Sequence, residues 1–411
     1  MAWEPPVPRE PTAEPPVPHL AEEEEELEFT PAIRSLLEKS RDIAEEIIKR
    51  LMEFREPSGG SGERLWEKIE SVVIRGQLGY EEPLPGLAID STFPIDGGME
   101  LIGGRLVAIV AGYVSFGRLQ GRILPRQSFA SVRLVDTEEA LKTIPYHAKL
   151  YEKKLAMKLL KAIENGDADA KIILFDGELV PYALLFKSPE SIGKSRILSR
   201  LSTIMQKLLE KAREHRITLV GVVKRSYSKL LAVYTGRRLP LNDKAVMSLV
   251  LDYGEYAVVG RFGDILPRYA EIIAREKGVD PKKYRSIVSV NLSNCPDCSN
   301  IVVAFYKPHT RTPSHQAVRV EVLDFGGYGL ERILSMLNKL TNPGTGLPYP
   351  IDLVDEYIRL EARVLELVRR KVIGHIAQVL DVVGPGAVML LGHTNPEKRY
   401  IYEPRRRFTV G

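Results

Sequence analysis

The chain has 411 residues and 44% apolar content, enough for one large domain or two ordinary ones with a buried core. No stretch approaches the roughly 20 uninterrupted apolar residues of a membrane-spanning helix, and the Pro- and Glu-rich start lacks a basic-then-apolar signal pattern. A cytoplasmic protein with no membrane partner is therefore expected. The net charge of +4 conceals an acidic run, Glu22 to Glu26, set against basic clusters elsewhere. With only Cys295 and Cys298, no disulfide framework holds the fold, so packing must.

Residues 1–29 read as a disordered tail, because their composition cannot bury enough apolar surface to offset the entropy of ordering. Thr30 as N-cap and Pro31 at the first helical position open a helical pattern through Ile33, Leu36, Leu37, Ile43, Ile47 and Leu51. The turn-forming stretch 57–62 ends it, and a short helix at 65–73 follows, so 30–79 reads as an N-terminal helical segment. Leu87-Ala88-Ile89 then forms a short buried strand that delivers Asp90. Residues 105–116 and 128–135 are further strands, rich in β-branched and aromatic residues, and suggest a meander. Gly97-Gly98 and Gly103-Gly104 are hairpin turns rather than a phosphate loop, since no Gly-Lys-Ser/Thr follows.

A helix over 145–164 leads through Asn165-Gly166 into the strand 172–175, which ends in Asp176-Gly177. A helix at 191–215 and strands at 218–223, 301–305 and 318–323 continue an α/β alternation, and 356–378 forms the last long helix. No composition break divides residues 80–380, which read as one α/β domain, and 381–411 is a basic C-terminal extension.

Asp90 and Asp176 each follow a continuously apolar run, so each carboxylate emerges at the edge of a dry sheet. Two carboxylates brought together raise each other's pKa, and a divalent cation removes that penalty. The pair therefore points to Mg2+ or Mn2+. Glu152 lies three, four and seven residues before Leu155, Ala156 and Leu159, which places it on the helix face of the core stripe. Oxygen ligands from two strand ends and one helix suit phosphodiester hydrolysis. The same residues also fit blander roles: Asp-Ser and Asp-Gly as strand-to-turn punctuation, Glu152 as a helix-edge partner of Lys153 or Lys154, and Glu100 as the carboxylate near Asp90 instead.

Lys194, Arg196 and Arg200 recur on one helix, and Lys224-Arg225, Arg237-Arg238, Lys282-Lys283-Arg285 and Arg405 to Arg407 add further basic clusters that suit backbone phosphates or a solvated surface. Tyr227, Tyr234 and Tyr284 stand beside them, placed to stack on unpaired bases or to pack internally. Cys295 and Cys298, with His309 and His315 downstream, have the outline of a two-cysteine, two-histidine zinc site. The strand between them leaves little room for a finger's helix, so a loop thiol pair or a redox-sensitive bridge is expected.

Ile89-Asp90-Ser91, Leu174-Phe175-Asp176-Gly177, the segment Gly221-Val222-Val223-Lys224-Arg225-Ser226, Arg319-Val320-Glu321, and Tyr349-Pro350 followed by Leu353 resemble, in that order, the NurA nuclease family. The resemblance implies an RNase H-like mixed sheet flanked by helices, with helical N- and C-terminal additions. It implies a manganese-dependent nuclease, with two ions, that acts on single-stranded DNA or duplex ends in 5′-to-3′ end resection for recombinational repair. It implies a homodimer that docks on a HerA-type hexameric helicase. On it, Asp90, Asp176 and Glu152 are metal ligands, Tyr349 lies near the scissile phosphate, and Lys224 and Arg225 face DNA. Two departures stand out: Tyr357 takes the place of the family's histidine, and residues 165–170 lengthen the stretch between Glu152 and Asp176. A phenol is a poor neutral metal ligand. The competing readings are a DNA clamp or translocase adaptor without chemistry, which Tyr357 suggests, and another RNase H-like recombination nuclease.

Overall fold

Ten strands join into one sheet because the chain's apolar runs are short and β-branched, and helices cover both faces of it. The computed structural model describes residues 39–55, 64–94, 98–224, 228–311, 315–360 and 362–379, with isolated positions from 382 to 394. The tail, the helix-opening residues Thr30 to Leu37, Gly97, Arg225, Tyr227 and Arg405 to Arg407 lie outside them. The chain divides into two compact units, Met1–Glu56 and Pro57–Gly411. In the first, helix α1 (Ser40–Arg55) is the described part of the expected N-terminal helix.

In the second unit, α2 (Leu65–Val72) precedes β1 (Ile74–Gln77). Strands β2 (Gly86–Thr92), β3 (Met99–Leu101), β4 (Gly104–Phe116) and β5 (Arg126–Val135) follow. Helix α3 (Ile144–Glu164) leads to β6 (Ile172–Asp176), and α4 (Arg196–Glu214) to β7 (Thr218–Val223). Then come β8 (Glu255–Arg261), α5 (Phe262–Glu276), α6 (Pro281–Ser293), β9 (Val302–Tyr306), β10 (Val318–Leu323), α7 (Leu330–Lys339), α8 (Tyr349–Tyr357) and α9 (Ala362–Ala377).

The sheet order is β1-β8-β9-β10-β7-β6-β2-β4-β3, with β5 paired to β4. Its five strands β5-β4-β2-β6-β7 are a three-stranded antiparallel meander continued by two parallel strands, the RNase H-like arrangement. Buried on both faces, β6 and β7 are almost wholly apolar, as central parallel strands must be. One face packs α7 and α8 through Ile333, Leu334, Leu337, Ile351 and Val354 onto Ala88, Leu174, Val220 and Val320. On the other, Ile144 and Ala148 of α3 meet Val107 and Ile109. No described helix is long and apolar enough to cross a membrane.

Two expected helices are broken. Residues 191–215 split into a turn of helix at Pro189–Lys194 and α4, because the Ser195 side chain accepts the Leu198 N–H and restarts the helix as an N-cap. Residues 356–378 split at the end of α8: Ile358 is 2% exposed and its side chain is drawn down onto the sheet at Gly112, which turns the chain before α9 begins. Strands β1, β3 and β8 and helices α5 to α7 were not anticipated.

Candidate active site

Strands β2 and β6 run parallel in a register that pairs Ile89 with Phe175, so Asp90 and Asp176 occupy the next rung at the exit of the two buried runs. Adjacent strands lie about 4.8 Å apart, which brings the two carboxylates together without help from a loop. A third arrives from the helix above. Opposite Asp90 on β4 stands Gly112, where a Cβ would come within 2.5 Å of Ile358 Cγ2. Its missing side chain lets the end of α8 settle against the sheet and carry Asp355 over the strand ends. Asp90, Asp176 and Asp355 each place a carboxylate oxygen within 4.8 Å of the others.

The electrostatics are strained. Asp90 is 6% exposed, and its carboxylate accepts the Ser91 N–H at 2.6 Å. Burial, then the charges of Asp176 and Glu152, push its pKa up to about 8, against the pull of Lys149. Burial also raises Asp176, with Lys224 opposing. The Lys224 ammonium sits 2.8 Å from Asp176 Oδ2 and 2.9 Å from Asp355 Oδ2, and these carboxylates outweigh its own burial and keep it charged. Three hard oxygen donors, one of them buried and unneutralised, fit a divalent cation such as Mn2+ or Mg2+.

Glu152 is fully buried behind this trio rather than within it. Lys149 donates to Glu152 Oε2 at 2.7 Å and to the Asp176 carbonyl at 2.9 Å, and Ser91 Oγ donates to the same Glu152 oxygen at 3.2 Å. Lys153, also fully buried, lies 2.9 Å from Glu152 Oε1 and 3.7 Å from the centre of the Phe175 ring. Burial alone would raise Glu152, but Lys149 and Lys153 outweigh it and hold the carboxyl below its ordinary range. Glu152 thus ties α3 to β2 and β6.

Tyr349 opens α8 and is 39% exposed. Tyr357 closes the same helix, two residues past Asp355, half-buried beneath the Arg126 guanidinium at 5.2 Å. Lys224 meets the carboxylates themselves, and Arg225 lies outside the described residues. Glu100 pairs with Arg105 across the β3–β4 hairpin. Tyr234 donates its hydroxyl to the Val259 carbonyl, and Tyr284 packs on Phe186, ring centres 6.4 Å apart.

The zinc reading of the cysteines does not hold. Cys295 and Cys298 are joined to each other, His309 stacks on Tyr80 and meets Asn338, and His315 meets Tyr253. Residues 165–170 form a turn after α3 whose Ala168 bridges Gly121.

Sequence reasoning passed over Asp355 and Lys149. The signal for Asp355 was present: it stands four residues after the buried Ile351 and beside the buried Val354, at the edge of the core stripe of α8. Lys149, three residues before Glu152, has the same kind of signal.

Behind the strand ends lies a second buried polar network. Arg319 on β10 donates to Ser228 Oγ at 2.7 Å, to Glu321 Oε1 at 2.6 Å and to the Tyr182 hydroxyl. Glu321 accepts the Leu179 N–H at 2.9 Å, and Asp243 accepts Ser228 Oγ and the Leu230 N–H, each at 2.7 Å, together with the Leu231 N–H at 3.0 Å. This network grips the segments that follow β6 and β7, and so fixes the directions in which Asp176 and Lys224 leave the sheet.

Known proteins resemble this chain in family and in fold. A family model described as NurA domain matches residues 90–360. The NurA nuclease from Sulfolobus solfataricus is 14% identical, with a TM-score of 0.51, over 86% of this chain and 98% of that one. A structure of NurA with manganese is 13% identical, with a TM-score of 0.50, over 83% of this chain and 98% of that one. No curated protein matches the sequence. These structural likenesses show a shared fold, and the family match spans more than half of the sequence, from the first site aspartate to just beyond α8: the chain belongs to the NurA family.

Proposed function

We propose that the chain is a metal-dependent nuclease that hydrolyses phosphodiester bonds in DNA at the Asp90–Asp176–Asp355 cluster. The observation that carries this reading is the convergence of three carboxylates at two strand ends and a helix, one of them buried with too few partners for its charge. A solved NurA structure holds manganese, and we assign the same ion, or Mg2+, to this site. Bound there, the cation would offset the like charges and polarise a phosphate oxygen and a water.

The chain's own groups do the rest. Asp90 and Asp176 supply oxygens from rigid strands, which fixes their positions better than loops would. Lys224 bridges the half-buried Asp176 and the exposed Asp355, which puts its ammonium among the acids as a partner for an incoming phosphate. Lys149, anchored by Glu152 and the Asp176 carbonyl, keeps a permanent positive charge beside the acids. Tyr349 presents its hydroxyl at the start of α8, six residues or about 9 Å along the helix from Asp355, as a hydrogen-bond donor to a phosphate. We further assign to the chain single-stranded DNA as substrate, 5′-to-3′ end resection, a homodimer and a HerA-type hexameric helicase partner. Membership of the family supports that finer reading.

The test is cleavage of end-labelled single-stranded DNA with added Mn2+. The wild type is expected to degrade it, and Asp90→Ala and Asp176→Ala are not. Cleavage that persists unchanged in Asp176→Ala overturns the assignment, and tight salt-sensitive binding without cleavage by the wild type favours the clamp instead.

A further inference from the structure

Helix α3 turns a second face toward β5, and that face is cationic. Arg133 on β5 meets the His147 ring, its Nη1 3.1 Å from Nε2. Lys154 lies 5.8 Å from the centre of the Tyr151 ring, and Lys158 lies 4.6 Å from that of Phe129, an aromatic that is itself 37% exposed. Arg200, exposed on α4, joins them: Arg133, Arg200 and Lys154 together, after burial, drive the His147 pKa down to about 4. None of Arg133, Lys154, Lys158 and Arg200 forms an ion pair with a described carboxylate. Solvent-facing cations on a charged protein usually alternate with acids; four that gather without one repel each other and raise the local potential.

Two aromatic rings lie within the same patch, interleaved with the cations. Tyr151 donates its hydroxyl to Ser131 at 2.9 Å, which fixes its ring in place. A polyanion with flat apolar faces matches this surface on both counts: phosphates take the cations and bases take the rings. The patch shares α3 with the groups that support the acid cluster. Residues 147 and 151 belong to the same turns of α3 as Lys149 and Glu152, which meet the Asp176 carbonyl and Ser91 from behind, so one helix diameter, roughly 10–12 Å, separates the patch from those supports.

We infer that the face formed by α3, β5 and Arg200 of α4 is a binding track for single-stranded nucleic acid, which it holds by its backbone and by stacking beside the acid cluster. The track rests on the nuclease reading for its purpose, but its binding is measurable without chemistry. A triple variant, Lys154→Gln, Lys158→Gln and Arg200→Gln, changes only exposed side chains, and unchanged melting will confirm its fold. Anisotropy of a labelled oligonucleotide, measured in EDTA across a salt series, reads binding. Hydrolysis of a small phosphodiester, bis(p-nitrophenyl) phosphate with Mn2+, reads the acid cluster alone.

The triple variant is expected to bind at least tenfold more weakly, and the slope of log K against log salt to fall by about 2, near 0.7 for each lost contact. Small-diester hydrolysis stays at the wild-type rate. Phe129→Ala is expected to weaken binding without changing the slope. Unchanged affinity and slope in the triple variant overturn the track and leave the nuclease reading standing. Loss of binding in the variant, with no small-diester hydrolysis even by the wild type, keeps the track and removes the nuclease reading. A wild type that does not bind the oligonucleotide overturns the track.

Discussion

Replacing Asp90 with Asn separates the metal site from the fold, because the two respond in opposite directions. In the metal-free protein Asp90 has a pKa of about 8 against an ordinary 3.8. The folded state therefore binds this proton more tightly than the unfolded chain, and the wild type loses stability as pH rises from about 4 to about 8. At about 1.4 kcal/mol per pH unit, the cost at pH 7.5 has an upper bound of about 5 kcal/mol. The repulsion of two unit charges about 4.8 Å apart, at an effective dielectric of about 20, gives about 3.5 kcal/mol independently. An asparagine removes that cost but leaves a buried amide short of partners, at about 1–3 kcal/mol. The net expectation is a gain of about 1–3 kcal/mol, a rise of a few degrees in melting temperature. The assay is thermal melting of both proteins in EDTA from pH 5 to pH 8.5 and again with Mn2+. Asp90→Asn should match the wild type most closely at pH 5, melt above it at pH 8, and show little of the rise that manganese gives the wild type, about 4 kcal/mol at a thousandfold excess over Kd. A variant that melts below the wild type at pH 8 in EDTA, with the manganese-dependent rise intact, refutes both the strain and the ligand assignment.

The other predictions follow from neighbouring contacts. Lys224→Gln removes the ammonium shared by Asp176 and Asp355; its melting temperature in EDTA should fall and its manganese-induced rise should grow, because the like charges the ammonium offsets are left to the added cation, and a smaller rise counts against that reasoning. Manganese binding near pH 7 should release about one proton, since Asp90 must give one up; titration calorimetry in buffers of different ionisation enthalpy measures it, and no release refutes the raised pKa. Arg319→Met strands Glu321 and should cost about 3–5 kcal/mol in urea unfolding, whereas pairing it with Glu321→Leu recovers most of the loss. A single variant within 1 kcal/mol of wild type would show that the network does not hold the strand-end segments.

Asp90 and Asp176 were legible because of where they stand. Central parallel strands are apolar on both faces, so a carboxylate at the end of such a run is conspicuous in one dimension. Their pairing was expected from their like position and chemistry alone, since the register between β2 and β6 that sets it is encoded in no local pattern. Glu152 was read as inward-facing from its helical spacing, and it is buried. Yet Lys153, read as a possible surface partner for it, is buried as well, because the Phe175 ring and the Glu152 carboxylate offer its ammonium an alternative to water. The meander, β6, β7 and β10 followed from β-branched runs, whereas β1 and β8 at the far end of the sheet have short or interrupted apolar patterns and emerge only from their pairing with each other and β9.

Asp355 shows what the remaining gap consists of. The sequence around it contains no Gly or Pro from 351 to 360, so periodicity alone continues a helix through 356–378. The break comes from Ile358, whose burial against the sheet requires the empty place left by Gly112 on β4, far away in sequence. The contact that ends α8 is therefore the contact that brings Asp355 to the strand ends. One glycine on the rung of Asp90 both interrupts the helix and completes the acid cluster, so the misread helix and the overlooked aspartate share a single cause.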